Sequence, residues 1–267
     1  MDLEGKRALL TGATGGLGRE IAAAMAQRGT RLVLSSRKEE ELEKLAGELP
    51  GDGHEVAVCD LAEVGAAERL AGEAGEVDIL VANAGLPGSG RIEDFSVEEI
   101  GRAIRVNLEA PMILTRALLP AMSARGSGHL VFVSSLAGKA ASPRASIYNA
   151  TKFGLRGFAL ALREDLAGDP GDVGVSVVLP GFIRDAGMFA DSGAKPPPGA
   201  GTATPQQVGA GVIRAIEENR GEVAVAPIQQ RALVGFAHVF PGIAGRAQRG
   251  AGTKIAESLA RGQTDKR

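Results

Sequence analysis

Short apolar runs rich in β-branched residues alternate along this chain with longer amphipathic stretches, and no other feature narrows its fold so far. That alternation is the signature of repeated βα units around a parallel sheet buried on both faces. The runs are RALLT from Arg7, RLVLSS from Arg31, EVAVCD from Glu55, VDILVAN from Val77, HLVFVSS from His129, GVSVVLP from Gly174 and EVAVAP from Glu222. Between them, Leu17, Ile21, Ala24 and Met25 form one helical stripe, and Ile100, Ile104 and Leu108 form another. The expected architecture is α/β: a doubly wound parallel sheet of about seven strands in the order 3-2-1-4-5-6-7, with helices on both faces. A chain of 267 residues suffices for one such domain and is short for two.

The run Thr11-Gly12-Ala13-Thr14-Gly15-Gly16-Leu17-Gly18 follows the first strand and opens the first helix. In that context a glycine-rich turn lets a pyrophosphate approach the backbone at a helix N-terminus, so Gly12, Thr14, Gly15, Gly16, Leu17 and Gly18 are candidate dinucleotide contacts. At the end of the second strand, where a carboxylate would take a ribose 2′-hydroxyl, the chain has Ser35, Ser36, Arg37 and Lys38. No acid competes there with a 2′-phosphate, and Arg37 beside Ser36 can pair with one and stack on the adenine. NADP(H) is therefore favoured, with NAD(H) as the second candidate.

Tyr148 is the only tyrosine, thirteen residues after Ser135 and four before Lys152. At i and i+4 the phenol and ammonium share a helix face, and the charge is expected to lower the phenol pKa. With the TGxxxGxG turn, this serine and Tyr-x-x-x-Lys resemble the short-chain dehydrogenase/reductase family, in family order over roughly residues 5 to 227. The resemblance implies a Rossmann fold and an enzyme that moves a hydride between nicotinamide and a carbonyl or secondary alcohol. It implies that Tyr148 is the acid/base, that Ser135 hydrogen-bonds the substrate oxygen, and that Lys152 supports Tyr148 and holds the nicotinamide ribose. Asn107, in RVNLEAP, would be the fourth catalytic residue, bending a helix and anchoring a water that links the lysine to solvent. Asp60 and Leu61 would face the adenine, Asn83-Ala84-Gly85 would line the cofactor, and Pro180-Gly181-Phe182-Ile183 would contact the carboxamide. Relatives also assemble as homodimers or tetramers through helices covering Asn107–Ala124 and Tyr148–Ala167, where Ala150, Gly154, Gly157 and Ala161 form a small-residue face that either meets a second helix or packs on the sheet. Two positions depart from the pattern. Gly15 stands where NADP(H)-preferring relatives often carry a basic residue, and Asp185 stands where many have threonine. Either the loop at Asp185 is shifted or Arg184 neutralises the carboxylate.

Residues 186–204 are rich in Gly, Pro and Ala and read as a substrate lid. The lid ends at Thr204-Pro205-Gln206-Gln207, a capping sequence that starts a helix. The Rossmann domain is expected to cover 1–227, followed by a basic extension over 228–267. That extension holds Arg231, Arg246, Arg249, Lys254, Arg261, Lys266 and Arg267 against Glu257 and Asp265. A cap on the substrate pocket with a solvated end ranks above a membrane-surface helix, because Gly and Pro interrupt its stripe.

Leu86, Leu136, Phe182, Met188 and Phe189 are candidates for an apolar pocket taking a hydrophobic ketone or alcohol. A formal net charge of −2 and 3% aromatic residues argue against nucleic-acid binding. The scattered His54, His129 and His238 offer no metal-ligand spacing, so no metal is expected. A single cysteine, Cys59, and the absence of a signal-peptide pattern fit a cytoplasmic protein. The alternative from another class is a non-catalytic NADP(H)-binding regulator or scaffold on the same fold.

Overall fold

A computed structural model describes residues 1–168, 171–197 and 199–246. Among them, seven parallel strands form one sheet in the order β3-β2-β1-β4-β5-β6-β7, the Rossmann order expected from the alternation. They are β1 (Arg7–Thr11), β2 (Arg31–Ser36), β3 (Glu55–Val58), β4 (Ile79–Ala82), β5 (Ser127–Val133), β6 (Asp172–Pro180) and β7 (Glu222–Val225). The helices are α1 (Gly16–Ala26), α2 (Glu39–Glu48), α3 (Ala66–Ala74), α4 (Val97–Ile104), α5 (Ala110–Ala124), α6 (Ser146–Leu166), α7 (Gly187–Asp191), α8 (Pro205–Glu217) and α9 (Ile228–Val239).

Because successive strand residues face opposite sides, each strand feeds two cores. Leu10, Leu34, Val81 and Val131 pack with Ile21 and Met25 of α1 and Val212 and Ile216 of α8. Their neighbours Leu9, Val33, Leu80 and Leu130 pack on the other face with Leu70 of α3, Leu114 of α5 and Leu155 of α6. In register, Thr11 pairs with Ser35, Ala82 with Phe132, and Val133 with Val178. The strands thus end along one edge, which carries the glycine turn, Asn83, Ser135 and Pro180.

The stripe read from Leu17, Ile21, Ala24 and Met25 holds: Ile21 and Met25 are buried, and Leu17 and Ala24 pack against the same core. The stripe at Ile100, Ile104 and Leu108 does not. Residues Arg105–Glu109 form a turn of π-helix between α4 and α5, whose wider turn shifts the phase of the buried face. Val106, Asn107 and Ala110 turn inward, while Ile104 is exposed.

At the end of the 186–204 segment, Thr204 forms the expected capping box. Its hydroxyl accepts from Gln207 N at 3.2 Å, and Gln207 Oε1 accepts from Thr204 N at 2.9 Å. Two backbone hydrogen bonds, Ala203 N to Phe182 O at 2.9 Å and Arg184 N to Ala203 O at 3.0 Å, join the ends of the segment. It is not wholly irregular, since α7 lies within it; its Pro198 lies outside the described residues. Of the basic residues in the extension, Arg249, Lys254, Arg261, Lys266 and Arg267 lie outside them as well.

The glycine turn is closed by contact. Gly12 sits at φ +65°, and a Cβ there would stand 2.9 Å from Ala84 Cα; at Gly18 a Cβ would meet Gly12 O at 2.1 Å. Gly18→Ala should therefore push the turn off α1 and destabilise the fold by about 3 kcal/mol, read as a lower midpoint in urea unfolding with unchanged slope.

Candidate active site

Thr11 ends β1 and organises the neighbouring strand end. Its hydroxyl accepts from both Asn83 N and Ala84 N at 3.1 Å. In return Asn83 Nδ2 donates to Thr11 O at 3.1 Å and Gly12 O at 3.2 Å. Thus Asn83, Ala84 and the glycine turn form one rigid floor. Helix α1 opens at Gly15 with no side-chain cap and no acid in its first turn. Its first N–H groups and dipole are left to an external anion, so the turn fits a dinucleotide pyrophosphate. A Cβ on Gly16 would lie 2.5 Å from the Ala186 side chain, so the start of the lid rests on this turn. Leu17 stands 3.6 Å from the corresponding position at Gly187, while Thr14 O accepts from Arg19 Nε at 3.1 Å.

At the end of β2, Ser36 Oγ accepts from Lys38 N at 3.3 Å and Arg37 is exposed. Arg19 reaches Glu41 at 3.4 Å and Lys38 reaches it at 2.6 Å, so a mixed-charge cluster borders Arg37. After β3, Asp60 Oδ1 accepts from Ala62 N at 2.9 Å, an Asx turn, and Leu61 is buried in the core.

Asn107 occupies the π-turn and is fully buried. Its Oδ1 accepts from Leu86 N at 2.6 Å, and its Nδ2 donates to Leu86 O at 2.9 Å and Thr151 Oγ1 at 3.2 Å. One amide thereby ties the loop after β4 to α6. A Cβ on Gly85 would stand 3.5 Å from Asn107 Oδ1 and 3.7 Å from Lys152 Nζ. Lys152 is buried and donates to Val133 O at 3.0 Å. Ser135 caps a short 3-10 turn, Leu136–Gly138: its hydroxyl accepts from Ala137 N at 3.1 Å, donates to Pro180 O at 3.4 Å, and hydrogen-bonds Tyr148. The neighbouring Ser134 donates to Lys152 O at 2.9 Å.

The structure corrects the electrostatic expectation. Lys152 Nζ lies 5.8 Å from the Tyr148 ring centroid and is directed at the Val133 carbonyl. Burial raises the Tyr148 phenol above its ordinary value, opposed by the Ser135 hydrogen bond. Burial also brings Lys152 down to about 8. The i,i+4 spacing places the pair on one face, yet the protein's own atoms do not depress the phenol, because desolvation disfavours both charged forms.

At the end of β6, Gly181 is packed so closely that a Cβ would meet Gln230 Oε1 at 2.2 Å. Gln230, on α9, was not flagged by the sequence. Its buried amide accepts from Phe182 N at 3.1 Å and donates to Ala200 O at 3.2 Å and Gly201 O at 2.8 Å. Nothing local distinguishes it from its neighbour Gln229 in the first turn of the same helix. Glu222 was also missed. It holds Arg156 of α6 at 2.6 Å and Lys139 beyond Ser135, joining both candidate segments to β7. Asp185 resolves both ways: it adopts φ +70°, turning the loop, and pairs with Arg184 at 3.2 Å. Of the pocket candidates, Phe182 and Phe189 stack with centroids 4.7 Å apart, whereas Leu136 is buried in the sheet core.

With this geometry in place, comparison with known proteins gives concordant results. The family profile of the short chain dehydrogenases matches residues 6–196. A ketoacyl reductase, HetN, from Nostoc sp. is 37% identical over 229 residues, covering 84% of this chain and 79% of the relative. A short-chain dehydrogenase from Sphingobium yanoikuyae, in complex with NADPH, superposes with a TM-score of 0.75 at 27% identity, covering 82% and 87% of the two chains. A serine dehydrogenase complexed with NADP⁺ gives 0.73 at 31% identity, covering 83% and 95%.

The burial of Lys152 carries a pH signature. Unfolded, a lysine holds its proton to about pH 10.4; folded, this one releases it at about 8. Below pH 8 both states are protonated and the cost of the buried charge is constant. Between pH 8 and about 10.4 the unfolded state holds the extra proton, so folding stability from this group rises with pH. The melting temperature of the native protein should therefore climb relative to Lys152→Met across that interval; parallel curves would contradict the burial assigned to Lys152.

Proposed function

The chain belongs to the short-chain dehydrogenase/reductase family, and from that premise we propose that it is an NADP(H)-dependent oxidoreductase acting between a ketone and a secondary alcohol. The observation that carries the reading is the convergence of Ser135, Tyr148 and Lys152 at the strand edge that also holds the uncapped glycine turn. When bound, the nicotinamide would supply or accept the hydride. The remaining chemistry is one proton at the substrate oxygen, and that falls to Tyr148 Oη. Ser135 Oγ, anchored at Pro180 O and Ala137 N, orients that oxygen. Lys152 Nζ stands 5.8 Å from the Tyr148 ring centroid, and a cationic ring bound beside the phenol would lower its pKa. Asn107 acts as a positioning residue, holding Gly85 and Leu86 against α6.

Tyr148→Phe should lower turnover of a ketone screen by about 10²- to 10⁴-fold while leaving cofactor binding within a few-fold. Because the chain has one tyrosine and no tryptophan, phenolate absorbance reports this group alone. Its titration should begin above the ordinary value and fall on adding NADP⁺. A Phe variant with native turnover would remove Tyr148 from the acid/base role; a native chain without turnover whose phenol is unmoved by cofactor would favour the regulator reading.

For the cofactor, support comes from exposed Arg37 with no acid before Glu39, and from relatives whose structures hold NADPH or NADP⁺. Arg19 further compensates for Gly15, since its guanidinium folds back onto Thr14 O beside the position where relatives place a basic residue. Arg37→Glu should raise KM for NADPH by about tenfold or more and leave KM for NADH unchanged or lower. Equal changes for both cofactors would place Arg37 outside the 2′-phosphate site. The stacked Phe182 and Phe189 favour an apolar substrate. A homo-oligomer through α5 and α6 is consistent with the exposure of Ala150, Gly157 and Ala161, although Gly154 of the same face packs on Leu108.

A further inference from the structure

Helix α9 has two unlike sides. Its inner side is spoken for: Gln230 holds the two ends of the lid, His238 Nδ1 lies 3.1 Å from Lys139 O, and Ala237 packs on Ala140. The helix therefore sits at the mouth of the site, between the lid and the turn that follows Ser135. Its outer side carries Ile228, Leu233, Phe236 and Val239, exposed by 66, 56, 45 and 65%. At helical spacing these four fall within an arc of about 140°. Phe240 lies against Phe236 with centroids 5.2 Å apart and is itself half exposed, and Ile243 beyond it is exposed by 57%. Scattered exposed apolar residues need no explanation, but a contiguous patch of large ones does.

Charge selects what covers it. From Val223 to Ala256 the sequence holds no aspartate or glutamate, although the chain has 32 of them. The same stretch carries Arg231, Arg246, Arg249 and Lys254. Residues 228–267 hold seven basic and two acidic residues, a formal +5, so the first 227 carry the balance of −7 within the net −2. Two copies meeting through α9 by a twofold axis would place like-charged, acid-free surfaces against each other. An apolar helix face bordered by arginines matches an anionic bilayer surface, where the side chains enter the acyl boundary and the guanidinium groups meet phosphates.

We propose that the outer face of α9 is an interfacial docking surface for anionic lipid bilayers, holding the mouth of the site against the membrane. Docking does not depend on the catalytic reading and can be tested without turnover. The full chain would be sedimented with vesicles of phosphatidylcholine containing phosphatidylglycerol, and with vesicles of phosphatidylcholine alone. Native protein should pellet with the anionic vesicles and remain in the supernatant with the neutral ones. The triple variant Leu233→Ser, Phe236→Ser, Val239→Ser should partition about tenfold or more weakly with an unchanged melting temperature, since all three side chains are already exposed. Arg231→Gln with Arg246→Gln should weaken it as well. Native protein left in the supernatant of anionic vesicles, or a triple variant that pellets like the native chain, would overturn the proposal. So would a native oligomer that the triple variant dissociates in size-exclusion light scattering, because the occupant would then be a second copy.

Discussion

The side-chain amide of Asn107 is the contact on which the site depends. It is fully buried, and it reaches both the N–H and the carbonyl of Leu86 as well as the Thr151 hydroxyl. These belong to the loop after β4 and to the helix that carries Tyr148 and Lys152. An asparagine can do this because it presents donor and acceptor from one planar group. It can do it here because the π-turn at Arg105–Glu109 rotates residue 107 inward without ending the helix. Losing the amide would leave the partly buried N–H and carbonyl of Leu86 without their side-chain partner, a cost that falls on the geometry of the loop.

Around that anchor the same economy recurs: polar side chains join strand ends that the sheet alone only brings near one another. Thr11 and Asn83 lock β1 to β4, Ser134 fastens the turn after β5 to the backbone of Lys152, and Gln230 binds the lid to α9. Each is satisfied by backbone groups, so it fixes position without adding charge. The charged pair at the centre behaves differently. Burial opposes the ionised form of both Tyr148 and Lys152, so the protein holds an acid and a cation that are poised but not yet strongly coupled. A cationic ring bound beside them would lower the phenol pKa, and in the proposed reaction this would link proton transfer to cofactor binding.

The lid and the last helix connect this chemistry to the surface. The 186–204 segment begins against Gly16, carries Phe189 in contact with Phe182, and ends at a capping box. Helix α9 then closes over both ends of it with one face and leaves an apolar face outward.

The sequence alone determined the strands, their parallel arrangement and order, the glycine turn at the head of α1, and the cap at Thr204. The strands, the glycine turn and the cap rest on local periodicity or short-range backbone chemistry, which a single chain displays directly; the strand order is the one expected of a Rossmann fold. It also placed Ser135, Tyr148 and Lys152 within one short segment. Only the tertiary structure decided the inward face around Asn107, because a π-turn breaks the helical period that a sequence stripe assumes. It likewise decided the direction of the Tyr148 and Lys152 shifts, since desolvation depends on what surrounds a group rather than on its spacing. The roles of Gln230 and Glu222 came from contacts across 48 and 66 residues of chain, respectively. Such contacts leave no local mark, because their partners are backbone groups or distant cations that become neighbours only when the sheet is assembled.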